Sequence, residues 1–398
     1  MDEVHQYHDH GRSTVSIDNT CMMKIIIAGG GTGGHIFPGI AIAEEITQRD
    51  ESAEVIFVGT EQGIERSVVP QEGYKIRFLR AEGLAGKAMI KKLRAVIKMI
   101  LSIYDSYKII NDVKPDAIIG VGGYASFGMV ITGRFFSIPA MITEQNSIPG
   151  LANRVLCRFV DAICATYHDS ISYFPKEKTY ITGNPIRQGI IRGERERAYD
   201  LFCLERDRFT ILVFGGSAGA TKINRAVCEA FHYLTDLRDQ IQFLHQTGRS
   251  DIEWVKESYR KWGFKGTVAP FIYEMGEAYA VSDLIISRAG ATTLAELMAV
   301  GRPSILIPYP FAAAKHQEEN ARKLSDMGAA KMILDNDLNG ETLSEEIKKL
   351  FNNKPLRMEM EKAARSLGRP DAARQIVDIL ISLLSVGAKR HSPLLKIW

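Results

Sequence analysis

Two stretches of the chain have the composition of phosphate-binding loops, Gly29-Gly30-Gly31-Thr32-Gly33-Gly34 and Gly215-Gly216-Ser217-Ala218-Gly219. Each follows a short apolar run and opens a helical pattern, so backbone N–H groups and the positive end of a helix dipole converge at the turn, as a phosphate requires. Taken singly, each loop fits other chemistry as well. The first satisfies GxGxxG, a weak sign of a dinucleotide site and equally the mark of a tight turn. The second satisfies GxSxG, in which Ser217 would be the nucleophile of a hydrolase, with Asp283 and His316 following as acid and base. The hydrolase reading leaves the first loop without a purpose.

A third turn, Ser287-Arg288-Ala289-Gly290-Ala291-Thr292-Thr293-Leu294-Ala295-Glu296, also follows an apolar run and opens a helix, and its small residues admit a ligand against backbone. Glu296 can accept two hydrogen bonds from a ribose diol; alternatively its charge serves only the helix N-terminus. The five cysteines show no CxxC or Cys/His metal spacing, which fits free thiols in a reducing compartment. No metal site and no cofactor are expected.

The elements that must position these residues alternate between apolar runs and helical patterns. Lys24–Ala28, Glu54–Gly59, Asp116–Gly120, Ala140–Thr143 and Asp161–Ala165 read as strands of a first parallel sheet. Phe209–Phe214 restarts the plan, and Asp283–Ile286 and Ser304–Pro308 continue a second sheet. The fold class is therefore α/β with two Rossmann-like halves. The expected division is a leader at 1–21, a first domain at 22–186, a linker at 187–208, a second domain at 209–370, and a last helix and tail at 371–398. The leader is polar and expected to be unordered, its His5, His8 and His10 cluster not being read as a metal site; Met22 and Met23 stand as alternative starts. With 50 basic and 47 acidic residues, the net charge of +3 is too small for a general nucleic-acid footprint. No run reaches the roughly 18 apolar residues of a spanning helix, and no signal peptide precedes Met22.

In this order the segments resemble the MurG family of peptidoglycan glycosyltransferases. The resemblance rests on GGTGGHIFPG from Gly30, GGYAS from Gly122, EQNSIPGLANR from Glu144, GNPIR from Gly183, GGSAGA from Gly215, SRAGATTLAE from Ser287 and HQEENA from His316. It runs from about Lys24 to Val386. It implies a GT-B fold and inverting transfer of N-acetylglucosamine from UDP-GlcNAc to lipid I, undecaprenyl-pyrophosphoryl-MurNAc-pentapeptide. Another GT-B enzyme using UDP-GlcNAc, such as a lipid glycosyltransferase paralogue or an epimerase, is the alternative; a non-catalytic nucleotide-sugar binder is a further one.

The resemblance also implies residue roles. Ser217 and Arg187 would contact the pyrophosphate, Ile272 the uracil through its backbone, and Glu296 the ribose. Ala291, Thr292, Thr293, Leu294 and Gln317 would line the donor pocket, with Asn224, Arg288 and Ala295 counted among the substrate-binding residues. Thr32, Gly33, Gly34, Tyr124 and Asn146 would face sugar and acceptor from the first half. The guanidinium of Arg187 suits the charge that grows on departing UDP; an ordinary surface arginine is the plainer alternative. Inversion needs one base, and His35 leads because imidazole takes a proton near neutral pH; otherwise it orients the acceptor or caps the loop. Glu144 is the second candidate. The chain departs from the family pattern at Thr143, where HEQN is usual, and at Ala218, where GGSQGA is usual. These changes bear on acceptor contacts and donor affinity.

An enzyme acting on a polyprenyl lipid must reach a bilayer. Between Lys87 and Lys108, Met89, Ile90, Leu93, Val96, Ile97, Ile100, Leu101 and Tyr104 recur at helical spacing among Lys87, Lys91, Lys92, Arg94 and Lys98. Such a helix can rest on an anionic membrane surface, next to Gly83-Leu84-Ala85-Gly86; alternatively the stripe packs into the first domain. Peripheral binding at the cytoplasmic face of the cell membrane is the expectation.

Overall fold

The computed structural model describes residues 22–81, 89–216, 219–312 and 315–391, and the side chains of all these except 89–97 and 386–391. The leader at 1–21 and the Gly83–Gly86 segment lie outside the described residues, as do Lys87, Ser217 and Ala218.

Among the described residues, seven strands form the first sheet: β1 (Lys24–Gly29), β2 (Glu54–Gly59), β3 (Lys75–Phe78), β4 (Ala117–Gly122), β5 (Ala140–Glu144), β6 (Ala162–Ala165) and β7 (Thr179–Ile181), in the order β3-β2-β1-β4-β5-β6-β7. Six form the second: β8 (Phe209–Phe214), β9 (Ile241–Gln246), β10 (Lys265–Ala269), β11 (Leu284–Ser287), β12 (Ser304–Leu306) and β13 (Lys331–Met332), in the order β10-β9-β8-β11-β12-β13. Every pairing is parallel. Parallel strands covered by helices on both faces read as continuous apolar runs, and Ile25, Ile26 and Ile27 of β1 and Ile211, Leu212 and Val213 of β8 are wholly buried. Alternate residues of one strand feed opposite faces: Ile211 and Val213 pack with Phe231 and Phe243, whereas Leu212 and Phe214 pack with Tyr279 and Leu294.

In each sheet the first strand lies inside and the order reverses beside it, between β1 and β4 and between β8 and β11. At such a switch point the loops at the carboxyl ends of neighbouring strands diverge and leave a crevice. Both glycine loops and the Ser287–Glu296 turn issue from these two points.

Two segments add to the expected plan. Residues 187–208 include helices Gln188–Ile191 and Arg195–Leu201, and Ile190, Ala198, Tyr199, Phe202 and Leu204 belong to the core around Leu212 and Leu244. Their apolar residues are diluted by arginine and glutamate, which disguises a segment packed on one side only. The last helix, Ala372–His391, returns to the first half, where Ile376, Val377 and Leu380 pack with Ile25, Ile36 and Ile40. Strand β9 escaped the apolar pattern because Gln242, His245 and Gln246 interrupt it. All three are buried and hydrogen-bonded, as burial of polar groups demands.

Candidate active site in the interdomain cleft

A cleft of about 1160 Å³ opens where the two switch points face each other. Thr32, Gly33, Gly34, His35 and Asn146 line it from the first half, and Arg187, Gly216, Ile272, Glu296 and Gln317 from the other side. At its floor the halves touch, with the Thr292 hydroxyl donating to the Gly34 carbonyl at 3.3 Å.

His35 sits in the first turn of the Gly33–Arg49 helix, placed there by the glycine loop that ends β1. Its Nδ1 edge lies against Gly122, where a Cβ would overlap the ring, and glycine has φ +104° there. Enclosure pushes the imidazole below its ordinary pKa, although the Val121 carbonyl, Gln145 and the negative charge of Glu65 favour the protonated form. A ring kept neutral near pH 7 is competent to take a proton. Thr143, at the departure from the family pattern, accepts from Gln145 Nε2 at 2.8 Å; the same nitrogen donates to the Val121 carbonyl at 3.2 Å. The hydroxyl thus holds Gln145, which lines the cleft beside His35.

Glu144 does not fit the base role. It is 3% exposed, and its carboxylate accepts from Asn146 N, Asn146 Nδ2, Gly150 N and Asn153 Nδ2 at 2.9–3.3 Å. Burial raises its pKa while these donors lower it. With its lone pairs occupied by its own loop, Glu144 staples the 144–153 segment and so presents Asn146 to the cleft. Tyr124 begins the Gly123–Phe135 helix beside the first loop and is exposed, but it does not line this cleft.

On the opposite wall Glu296 is buried yet lines the cleft, and the Tyr279 hydroxyl donates to its Oε2 at 2.8 Å. Burial raises its pKa; the Arg187 charge and the Tyr279 bond oppose this. Arg187 is no surface arginine: it stacks 4.4 Å from the centroid of Phe37 and pairs with Glu72 at 3.2 Å, while its Nε is buried without a hydrogen-bond partner. Gln317 lines the cleft and accepts from Tyr309 N at 2.9 Å through Oε1, which fixes its amide. Ala291, Thr292 and Thr293 line the cleft.

Other expected contacts resolve differently. Asn224 is 0% exposed and donates through Nδ2 to the Thr247 carbonyl and to Asp251, with Oδ1 against His245. It braces the base of the second glycine loop and does not line the cleft. Leu294 belongs to the core and Ala295 faces away from the cleft, because successive residues of a helix point in different directions. Arg288 reaches the cleft wall, but its Nη1 serves Asp335 at 2.6 Å and the carbonyls of Ile307 and Pro308, so its charge is already matched. The Ile272 N–H is held by Gln246 Oε1 at 2.8 Å, leaving the carbonyl for any backbone contact with a base.

Gln246 itself was not legible from motifs. Its Nε2 donates to the Gly216 carbonyl at 2.9 Å, so one amide ties the glycine loop to the Ile272 segment. Glu72, which pairs with Arg187, was equally hidden, and Phe37 lies within the GGTGGHIFPG segment with no sign there of its contact with Arg187. Only the apolar run around Gln246 could have hinted at a polar residue enclosed for a reason.

Residues 25–165 match the glycosyltransferase family 28 N-terminal domain and residues 210–376 the glycosyltransferase family 28 C-terminal domain. The UDP-N-acetylglucosamine--N-acetylmuramyl-(pentapeptide) pyrophosphoryl-undecaprenol N-acetylglucosamine transferase of Thermodesulfovibrio yellowstonii is 50% identical, over 91% of this chain and 99% of that protein. The protein of that name from Myxococcus xanthus is 45% identical, over 91% and 94%. The crystal structure of Acinetobacter baumannii MurG is similar with a TM-score of 0.69 at 29% identity, covering 90% of this chain and 99% of that one. UDP-GlcNAc 2-epimerase from Neisseria meningitidis shares the fold with a TM-score of 0.63 at 15% identity, over 91% and 100%.

Proposed function

Because the chain belongs to glycosyltransferase family 28, we infer that its cleft transfers N-acetylglucosamine from UDP-GlcNAc to the MurNAc 4-hydroxyl of undecaprenyl-pyrophosphoryl-MurNAc-pentapeptide. It is a hexosyltransferase of peptidoglycan synthesis. The observation that carries the mechanism is the division of the cleft, with an imidazole on one wall and a buried carboxylate and guanidinium on the other.

In this reading the donor lies on the second half. Glu296 receives the ribose hydroxyls, its geometry fixed beforehand by Tyr279. The Ile272 carbonyl meets the uracil edge. Arg187 exchanges Glu72 for the diphosphate, where its positive charge offsets the charge developing on UDP as the sugar leaves. His35 accepts the proton of the acceptor hydroxyl as that oxygen attacks the anomeric carbon from the opposite face. One displacement inverts the centre, with no sugar bound covalently to the enzyme. Ser217, within the second loop, is assigned to the diphosphate by the same family pattern.

The acceptor's lipid calls for a membrane surface. No helix among the described residues is long and apolar enough to cross a membrane. The described part of the Met89–Val113 helix exposes Ile100 by 61%, and Phe135 at the end of the neighbouring Gly123–Phe135 helix is 81% exposed. Tyr107 and Phe136 join these two helices through rings 5.8 Å apart. The side chains of Met89, Ile90, Lys91, Lys92, Leu93, Arg94, Val96 and Ile97 lie outside the described set. An exposed apolar face flanked by Lys108 and Arg134 supports peripheral binding to anionic lipid at the cytoplasmic face.

The test of the reaction is incubation with labelled UDP-GlcNAc and a lipid I analogue. Label in a lipid-linked disaccharide is expected; release of free epimerised sugar would replace the reading with an epimerase. Flotation with anionic vesicles tests the surface: binding should fall with salt and with Lys87, Lys91, Lys92 and Lys98 changed to Glu, and unchanged binding would overturn it.

A further inference from the structure

Glu65 opens the Glu65–Gln71 helix behind the first glycine loop and is 0% exposed. Its Oε1 accepts from the Thr60 amide and the Thr60 hydroxyl, and its Oε2 from the Gly31 amide, all at 2.9 Å. Three glycines surround the carboxylate. A Cβ on Gly30, at the end of β1, would sit 2.6 Å from Glu65 Cδ; one on Gly59, at the end of β2, would fall on its Cγ; one on Gly63 would fall on the carboxylate itself. None of the three has positive φ, so their backbone does not require glycine. What requires it is the space the acid occupies.

A buried carboxylate is a costly brace, because its charge loses solvation that a neutral amide would not lose to the same degree. Its position gives the charge a use. The groups whose charge or polarity acts on His35 are Glu65 from this helix and His316 from the His316–Asp326 helix, with the neutral Gln145 side chain and the Val121 carbonyl. Glu65 alone among these brings negative charge, and it favours the imidazolium that forms when His35 takes a proton.

We propose that Glu65 is a positioning residue for the transfer reaction, an internal anion that occupies the first glycine loop, fixes the backbone from which His35 projects and supports the proton it receives. This rests on the reading of His35 as the base. It also explains why the first loop carries the phosphate-loop pattern: the Gly31 N–H that would meet a phosphate oxygen meets a carboxylate oxygen of the same chain.

The experiment compares Glu65→Gln, Glu65→Asp and His35→Ala in the full chain by steady-state transfer from UDP-GlcNAc to a lipid I analogue and by calorimetric UDP binding. Glu65→Gln should lower kcat by about 10- to 100-fold, by analogy with the outer partners that orient metal-bound histidines, with donor KM and UDP affinity changed less than about twofold. The acid limb of kcat/KM should move to lower pH, since His35 loses a charge that favours its protonated form. Glu65→Asp, which keeps the charge, should keep the acid limb near its native position. Native kcat and an unmoved limb in Glu65→Gln, with His35→Ala inactive, would overturn the proposal. A fully active His35→Ala would instead overturn the reading of the base. Should the Glu65 variants unfold, Gly63→Ala in the otherwise native chain carries the test: the methyl displaces the carboxylate, so kcat should fall and the acid limb of kcat/KM should move, with UDP affinity changed less than about twofold. Native kcat and an unmoved limb in Gly63→Ala would overturn the proposal.

Discussion

The loops after β1 and β8 stand at equivalent switch points, and both are rich in glycine, yet their glycines answer different demands. In the second loop Gly216 and Gly219 have φ of +95° and +81°, and a Cβ on Gly219 would strike the Thr247 carbonyl, so the backbone itself dictates glycine. Its described hydrogen bonds run to its own backbone and to Gln246. In the first loop Gly31 shares the left-handed conformation at φ +91°, but Gly30 has ordinary φ and yields its side-chain volume to Glu65. One composition therefore encodes an anion-receiving turn on one side and a turn already filled by an internal anion on the other. On the proposed mechanism the contrast divides the chemistry: donor phosphates at the second loop, acceptor activation at the first.

The strongest way to break this division is His35→Ala. Turnover should fall by roughly 10²- to 10⁴-fold, the usual worth of a general base, while calorimetric UDP affinity stays native. Lost UDP binding would place His35 on the donor side. Next in size, Arg187→Met should lower kcat/KM for UDP-GlcNAc by on the order of 10²-fold, as removal of a charge-stabilising donor commonly does. Steady-state kinetics at saturating acceptor would expose a smaller effect, which would leave Arg187 a partner of Glu72 and Phe37 only. Gly219→Ala should weaken UDP binding by about 10-fold or more through left-handed strain and overlap with Thr247, since such strain costs of order 1–3 kcal/mol; titration calorimetry reads it directly.

Smaller effects sharpen the same comparison. Glu296→Gln should raise donor KM by about 10-fold, because hydrogen bonds to a charged group contribute roughly 1.5–3 kcal/mol, and the penalty should shrink when a 2′-deoxyribose donor is compared. An equal penalty for both donors would remove the ribose assignment. In pH dependence, enclosure depresses the folded pKa of His35, so the ring remains a neutral base to lower pH than free imidazole. The acid limb of kcat/KM should fall below pH 6.5, the ordinary value, and rate should be flat from there to neutrality. A limb above pH 7 would point to another group.

Much of the architecture was legible in the chain because parallel strands buried on both faces must be apolar throughout: β1, β2, β8 and β11 stand out as runs such as Ile25-Ile26-Ile27. Strand β9 did not, since its Gln242, His245 and Gln246 find partners only in the folded core. The helices within 187–208 were obscured for the related reason that one apolar side suffices to dock them. Motif order also identified the segments that meet at the cleft, because each loop must follow its strand at a switch point.

Motif membership could not say which way a side chain points or which donors reach it. Glu144 lies in a characteristic segment and Asn224 just after one, yet one is consumed by four donors of its own loop and the other by Thr247, Asp251 and His245. Glu65 reads along the chain as a plain helix-opening acid and proves to meet a glycine 34 positions away. The sequence by itself determined the two-sheet plan, through burial that any parallel strand requires, and the residues brought to the cleft. Which of them remain open to a substrate was decided only by tertiary structure, because hydrogen-bond capacity is finite and the partners that exhaust it come from distant strands.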